Sequence, residues 1–239
     1  MSSSRRAVAL AERSAAERTR AFWHLLIGIL LVYGLIVIAG DLKFSAPVRV
    51  ALLGGVVVLD LRTRRRRARA QIAAAALTTA AVTATVLAAV AGSTRVLAAV
   101  QGFATTVLVV VAITSIIRTL RSWRGVDLAT VIGVLDVYLL LALLFASAHQ
   151  TFSAFQTGYL LGVEGLPSSA DDLYFSVITL TTVGFGDITP GTELARTVTI
   201  TEALVGQLYL VSIVAGVVSG FRRRPPPDPE ESDGGDESL

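Results

Sequence analysis

Residues 179–190 read TLTTVGFGDITP, with glycines at 184 and 186, clustered threonines and one aspartate between two apolar segments. In an extended strand, successive carbonyls point to opposite sides. To bring them to one axis, alternate residues must adopt left-handed dihedrals, which Gly184 and Gly186 do without a Cβ penalty. Thr182 adds a hydroxyl at the inner end. The chemistry such a stretch supports is a ladder of oxygens that replaces the water shell of a monovalent cation.

Four other ionisable residues stand inside or beside apolar runs. Glu202 lies in the last run, and an ionisable group there is costly and a functional candidate. It is expected to brace the back of a short helix through Thr179 or backbone donors. Asp136 sits mid-run with no evident partner, hydroxyls of the preceding run being candidates. His24 and His149 fall near run ends. They read as interface residues rather than metal ligands, since no second ligand stands at suitable spacing. The chain has no cysteine, which excludes disulfides, thiolate chemistry and Cys-ligated metals. No nucleophile–base set and no phosphate loop appears, so no enzyme is expected.

The elements that must position the ladder follow from the flanking sequence. Pro167 precedes Ser168 and Ser169, either able to N-cap, with Asp171 and Asp172 in the first turn of the segment SADDLYFSVITL. About ten to twelve helical residues fit before the glycines, half a bilayer in length. The chain must therefore dip in as a half-helix and return as non-helical backbone, which is tolerated only where protein or water surrounds it. The helix would point its negative C-terminal end inward, toward a cation below the ladder.

The rest of the chain is a membrane protein by composition: 53% of its 239 residues are hydrophobic, and the mean hydropathy is +0.67. Spans are expected at Phe22–Ala39, Ile72–Ala91, Val96–Ile117, Leu128–Ala148 and Ala195–Phe221. A marginal one, Val48–Leu61, reaches only about 21 Å without its flanks. The first run, which follows an arginine-rich segment and lacks a cleavage pattern, is not expected to be a secretory signal. Arginine clusters occur at 5–20, 62–69, 118–124 and 222–224. With six spans every cluster falls on the cytoplasmic side, as the positive-inside rule requires. The marginal helix must then cross, and residues 179–190 lie on the outer side between spans five and six. The Pro-rich, acidic tail is expected to be disordered.

TTVGFGD resembles the signature of tetrameric potassium channels, with Phe185 where tyrosine is commonest. The resemblance covers about 128–221 and implies a pore module. By family pattern Thr182, Val183, Gly184 and Phe185 supply the ion-coordinating oxygens, with Gly186 closing the filter. Asp187 stands at the outer mouth and Gly206 at the place of the family's hinge glycine. Leu210, Val214 and Val218 follow Gly206 at helical spacing and are expected to line a cavity. Some members brace the filter with pore-helix tryptophans, a filter tyrosine and a buried acid. Here those positions read Tyr174, Phe175, Phe185 and Ile178. Aromatic packing is expected to replace the missing hydrogen bonds, with Tyr174 donating to Asp187.

The expected fold is all-α and integral to the membrane: six transmembrane helices, with a re-entrant pore helix and filter loop between spans five and six. It divides into a cytoplasmic segment (1–21), a four-helix peripheral domain (22–124), a pore domain (125–221) and a cytoplasmic tail (222–239). The expected function is passive, potassium-selective conduction, with K⁺ as permeant ion and no cofactor. A poorly selective cation channel and a potassium-transporter subunit are the alternatives. One chain supplies one loop, and four must surround an ion, so a homotetramer is expected. The chain is expected in the plasma membrane with both termini cytoplasmic. No nucleic-acid partner is expected, since no soluble domain is left to carry a binding surface. The run Arg64, Arg65, Arg66 and Arg67 reads as a topological signal, with anionic lipid as its sharper alternative. The fourth span carries no arginine or lysine between Arg95 and Arg118, so little voltage sensing is expected.

Overall fold

A computed structural model describes the backbone of residues 2–40, 42, 45–63, 68–121 and 128–222, and the side chains of these from residue 19 onward except 214 and 217–222. The expectations for Arg64–Arg67, for Arg124 and for the tail beyond Arg222 lie outside the described residues.

Among the described residues seven helices follow in order: α1 (Ser2–Ala39), α2 (Ser45–Thr63), α3 (Ala68–Ala91), α4 (Thr94–Leu120), α5 (Leu128–Phe155), α6 (Ser169–Leu180) and α7 (Glu193–Arg222). The described residues are all-helical apart from two short strands, β1 (Leu160–Leu161) and β2 (Thr189–Pro190). Among the described residues four helical stretches are long and apolar enough to cross a membrane: Thr19–Ala39, Ala68–Ala91, Thr94–Leu120 and Leu128–Phe155. Helix α2 carries Arg49, Asp60 and Arg62, and α7 carries Glu193, Arg196 and Glu202 near its start.

The helices outrun the apolar runs that announce them. Helix α1 continues from the basic N-terminal segment into the first apolar run without a break, because no proline or glycine precedes Gly28. It stops at Gly40, whose φ of 50° ends the helical path. Helix α2 reaches 19 residues because Ser45, Ala46 and Pro47 join its first turn, and proline is tolerated there. Helix α5 runs to Phe155, beyond the expected end at Ala148, and so carries His149 within the helix.

Helices α1 to α5 share one core. Phe22, Ile29, Val50, Leu53, Leu108, Ile116 and Leu140 are buried in it, and Leu173 joins from α6. Apolar lipid offers helices little hydrophobic drive to associate, so small residues that admit close approach matter more. A Cβ on Gly133 would strike the Phe22 ring, and one on Gly102 would strike Thr151 and the Ser147 carbonyl. Those two glycines let α1 and α4 lie against α5. A second cluster of Tyr159, Leu160, Phe175, Ile188 and Ala195 gathers the loop before β1, α6, the segment after 182–186 and the start of α7. Strand β1 pairs antiparallel with β2, Leu160 opposite Pro190 and Leu161 opposite Thr189. The chain entering α6 is thus tied to the chain leaving residues 182–186.

Candidate functional site

Helix α6 starts with a complete capping box. The Ser168 hydroxyl accepts from the Asp171 amide at 3.1 Å, and Asp171 Oδ2 accepts from the Ser168 amide at 2.9 Å. Twelve residues later it ends at Leu180, within the expected length. The chain then folds its amides back onto the helix end. Thr182 donates to the Thr179 carbonyl at 3.0 Å, and Val183 and Gly184 both donate to the Ile178 carbonyl, at 2.9 and 3.1 Å. Among the described backbone hydrogen bonds, none uses a carbonyl of residues 182–186 as acceptor.

Positive φ angles alternate along this segment: Thr182 at 60°, Gly184 at 52° and Gly186 at 81°. This is the backbone pattern that turns successive carbonyls to a common side. The sequence assigns left-handed dihedrals to the two glycines alone; Thr182 enters it as a source of coordinating oxygen, not as a residue of positive φ. It is the one non-glycine residue with positive φ among the described residues. A β-branched side chain there costs on the order of 1–3 kcal/mol and persists only where its surroundings over-determine it. Counting back by two from Gly186 would have reached it.

At the outer end, the Tyr174 hydroxyl donates to Asp187 Oδ2 at 2.7 Å, and the Tyr174 and Phe185 rings stack with centroids 6.5 Å apart. The Tyr174 hydroxyl holds the Asp187 carboxyl below its ordinary range, helped by the amides of Asp187 and Ile188. The same bond pushes the Tyr174 hydroxyl up. Phe175 is buried and meets the His149 ring edge-on at 5.1 Å. Gly162, at φ 91°, passes so close to the Asp187 carbonyl that a Cβ would overlap it.

At the inner end, Tyr138 of α5 donates to the Leu180 carbonyl at 3.2 Å and stacks on Tyr209 of α7. Tyr209 donates to the Val134 carbonyl at 2.7 Å. Gly206 of α7 faces Leu180, where a Cβ would lie 2.7 Å from the Leu180 carbonyl oxygen. The helix is continuous through Gly206, which gives this glycine a packing role at the foot of α6. Asp136 has no exposed surface. Leu210 is exposed; Val214 and Val218 are on α7, their side chains outside the described ones.

Behind α6, Glu202 has no exposed surface. The expectation that it braces α6 through Thr179 or backbone donors needs correcting: the partner is the Ser176 hydroxyl, whose single hydrogen is shared between Glu202 Oε1 and the Ala142 carbonyl, the latter at 2.7 Å. Thr179 is one turn further on and half-buried, with its carbonyl committed to the Thr182 amide. His149 also differs from expectation. Rather than standing at an interface it is fully buried, its Nε2 3.0 Å from Glu202 Oε2 and its Nδ1 3.0 Å from the Tyr159 hydroxyl. Its spacing from Glu202 spans two helices, so no local pattern announced the pair. Among the described residues no group of three His, Cys, Asp or Glu side chains could hold a metal ion. His24 is exposed.

The face that residues 182–186 present is bare in the single chain. Val183 is 53% exposed and Phe185 69%. On α7, Ile200, Leu204, Leu208 and Val211 form a further exposed apolar stripe at helical spacing.

Residues 134–223 match the family described as ion channel, a family of channels and not of enzymes. Two curated relatives match over parts of the chain. The Oryza sativa subsp. japonica protein named two pore potassium channel c is 33% identical over 86 residues, 36% of this chain and 19% of that protein. The Methanocaldococcus jannaschii protein named probable potassium channel protein 2 is 54% identical over 46 residues, 18% of this chain and 13% of that protein. The matches thus cover less than a fifth of the length of either relative. No solved structure matches the chain. Together the channel domain and the apolar helices make this a multi-pass membrane protein.

Proposed function

We propose that the chain is the subunit of a potassium-selective channel that conducts K⁺ passively through a homotetrameric pore. The observation that carries this reading is the alternation of positive φ at Thr182, Gly184 and Gly186, directly after a capped twelve-residue helix. In that backbone the carbonyls of Thr182, Val183, Gly184 and Phe185, with the Thr182 hydroxyl, coordinate dehydrated K⁺. Gly186 ends the ladder and Asp187 marks its outer mouth. Tyr174, Phe175, Thr179 and Glu202 support it from the side of α6.

Four copies complete the pore, since one loop encloses no ion. The exposed Val183, Phe185 and α7 stripe are the surfaces they would cover. In this reading α1 to α5 and α7 all cross the membrane, α6 is re-entrant, and α7 lines the cavity below the filter through Leu210, Val214 and Val218. Gly206 is the bending point. Buried Arg49 and Asp60 favour a crossing α2, because both charges face protein rather than lipid. The arginine clusters favour cytoplasmic termini. The plasma membrane is the compartment in which such a pore acts on the cell's K⁺ gradient.

A flux assay tests the reading. Proteoliposomes loaded with K⁺ and diluted into Na⁺ should lose K⁺ when a protonophore carries the counter-charge, and Na⁺-loaded vesicles should not lose Na⁺. Equal loss of both ions would favour a poorly selective pore. No loss of either would remove the channel function.

A further inference from the structure

A chain of buried hydrogen bonds runs behind α6. The Tyr159 hydroxyl meets His149 Nδ1 at 3.0 Å, His149 Nε2 meets Glu202 Oε2 at 3.0 Å, and the Ser176 hydroxyl donates to Glu202 Oε1. The four side chains come from the loop before β1, from α5, from α7 and from α6. None is more than 1% exposed.

The two ends of this chain hold the two flanks of the filter segment. Ser176 is on the helix that leads into residues 182–186. At the other end, the Tyr159 carbonyl accepts from the Gly191 amide at 2.8 Å, immediately after β2. A shift of His149 or Glu202 therefore reaches both the entry to and the exit from the filter. Four partners fixed to one another across four segments are more than a brace for one helix.

The imidazole makes the chain depend on a proton. With one ring proton, Nε2 donates to Glu202 and Nδ1 accepts from the Tyr159 hydroxyl. With two, both nitrogens donate, and the Tyr159 hydroxyl must reverse into an acceptor. Its own hydrogen then has no acceptor among the described contacts, in a place closed to water, which is unfavourable. The other titratable groups near the relay are Tyr33 from α1, Asp172 from α6 and Arg49 from α2, the last sharing a small cavity with Asp172.

We infer that His149 and Glu202 are positioning residues for conduction: through Ser176 and Tyr159 they hold both flanks of the filter segment, and an added proton loosens that hold. The inference rests on the proposed channel reading.

The test is single-channel recording of the full chain in bilayers, with assembly of each variant checked by size exclusion in detergent. Wild-type mean open time should shorten roughly threefold or more between about pH 8 and about pH 5, the range in which histidine side chains change charge. His149→Gln, and independently Tyr159→Phe, should flatten that profile. Ser176→Ala should shorten openings at every pH, raised external K⁺ should lengthen them again, and Ser176→Thr should restore them. A purely structural brace would change assembly without moving the pH profile or the K⁺ dependence. Wild-type open times in an assembled Ser176→Ala, or an unchanged pH profile in both His149→Gln and Tyr159→Phe, would overturn the relay. A wild-type protein that carries no K⁺ current overturns the channel reading instead.

Discussion

The half-buried Tyr174 donates its hydroxyl to the exposed Asp187 carboxylate at 2.7 Å, across the outer end of the proposed filter segment. Asp187 is held below its ordinary range by this bond, so its contribution is present above the unfolded carboxylate pKa and is lost as pH falls through the lowered folded value. Tyr174 is pushed up by the same bond, so its side of the contribution is present below the unfolded tyrosine pKa and is lost only as pH rises through the raised folded value. The bond therefore spans the neutral range. In Tyr174→Phe, Asp187 should take up its proton at higher pH, nearer the ordinary carboxylate range. Titration of K⁺ current with external acid should show block setting in at higher pH than in the wild type. An unchanged profile would mean that the bond does not govern Asp187.

Gly184 at φ 52° admits no side chain at low cost. Gly184→Ala should cost about 1–2 kcal/mol per subunit in the left-handed conformation, and should abolish selective K⁺ flux while leaving the helices folded. Thr182→Ser, which keeps the hydroxyl and removes the β-branch, should retain selectivity. Circular dichroism with vesicle flux checks both. Selective flux in Gly184→Ala would count against the proposed carbonyl geometry.

How much of this site could be read from the sequence depended on how local its causes are. The start of α6 was legible to within one residue because Ser168 and Ser169 follow Pro167, although the box between Ser168 and Asp171 was not read, and the proposed filter segment was legible because Gly184 and Gly186 are free to take positive φ. Thr182 was half legible: its hydroxyl was read, its strained φ was not, because a β-branched residue argues locally against that conformation. The His149–Glu202 pair was not legible at all. Each residue looked like an isolated polar group in an apolar run, and only the packing of α5 on α7 brings them together. The choice of Ser176 over Thr179 was likewise a matter of helix rotation, which spacing alone leaves open.

Gly206 faces the Leu180 carbonyl with no room for a methyl group. Gly206→Ala should therefore disturb the foot of α6 as well as stiffen α7, at about 1–3 kcal/mol of overpacking. Lowered thermal stability of the assembled protein should accompany the altered gating. Full stability with altered gating would assign Gly206 to bending alone.

Below Gly206, the proposed cavity face is checked by accessibility. Single substitutions Leu210→Cys, Val214→Cys and Val218→Cys, in a chain with no native cysteine, should react with water-soluble thiol reagents from the cytoplasmic side when the channel is open. If none of the three reacts, this face of α7 does not line the pore.

Helix α4 should move little charge in the membrane field. Arg118 is exposed in its last turn, Arg121 is exposed at its end, and the stretch from Val96 to Ile117 already spans roughly 33 Å without them. Asp60 of α2 accepts from the Ser115 hydroxyl of α4 at 2.9 Å, a buried contact between the two helices. Open probability should change little between strongly negative and strongly positive potentials. A steep sigmoidal rise, flattened by Arg118→Gln and Arg121→Gln, would show that these arginines enter the field, where each full crossing is worth about 2.3 kcal/mol per 100 mV.

The central claim is that the alternating backbone at Thr182, Gly184 and Gly186 selects K⁺. Its most direct test is the single-channel reversal potential of the purified full chain in a planar bilayer, with K⁺ on one side and Na⁺ at equal concentration on the other. Selection by the carbonyl ladder predicts a reversal potential displaced far toward the K⁺ equilibrium potential. A reversal potential near zero would contradict it.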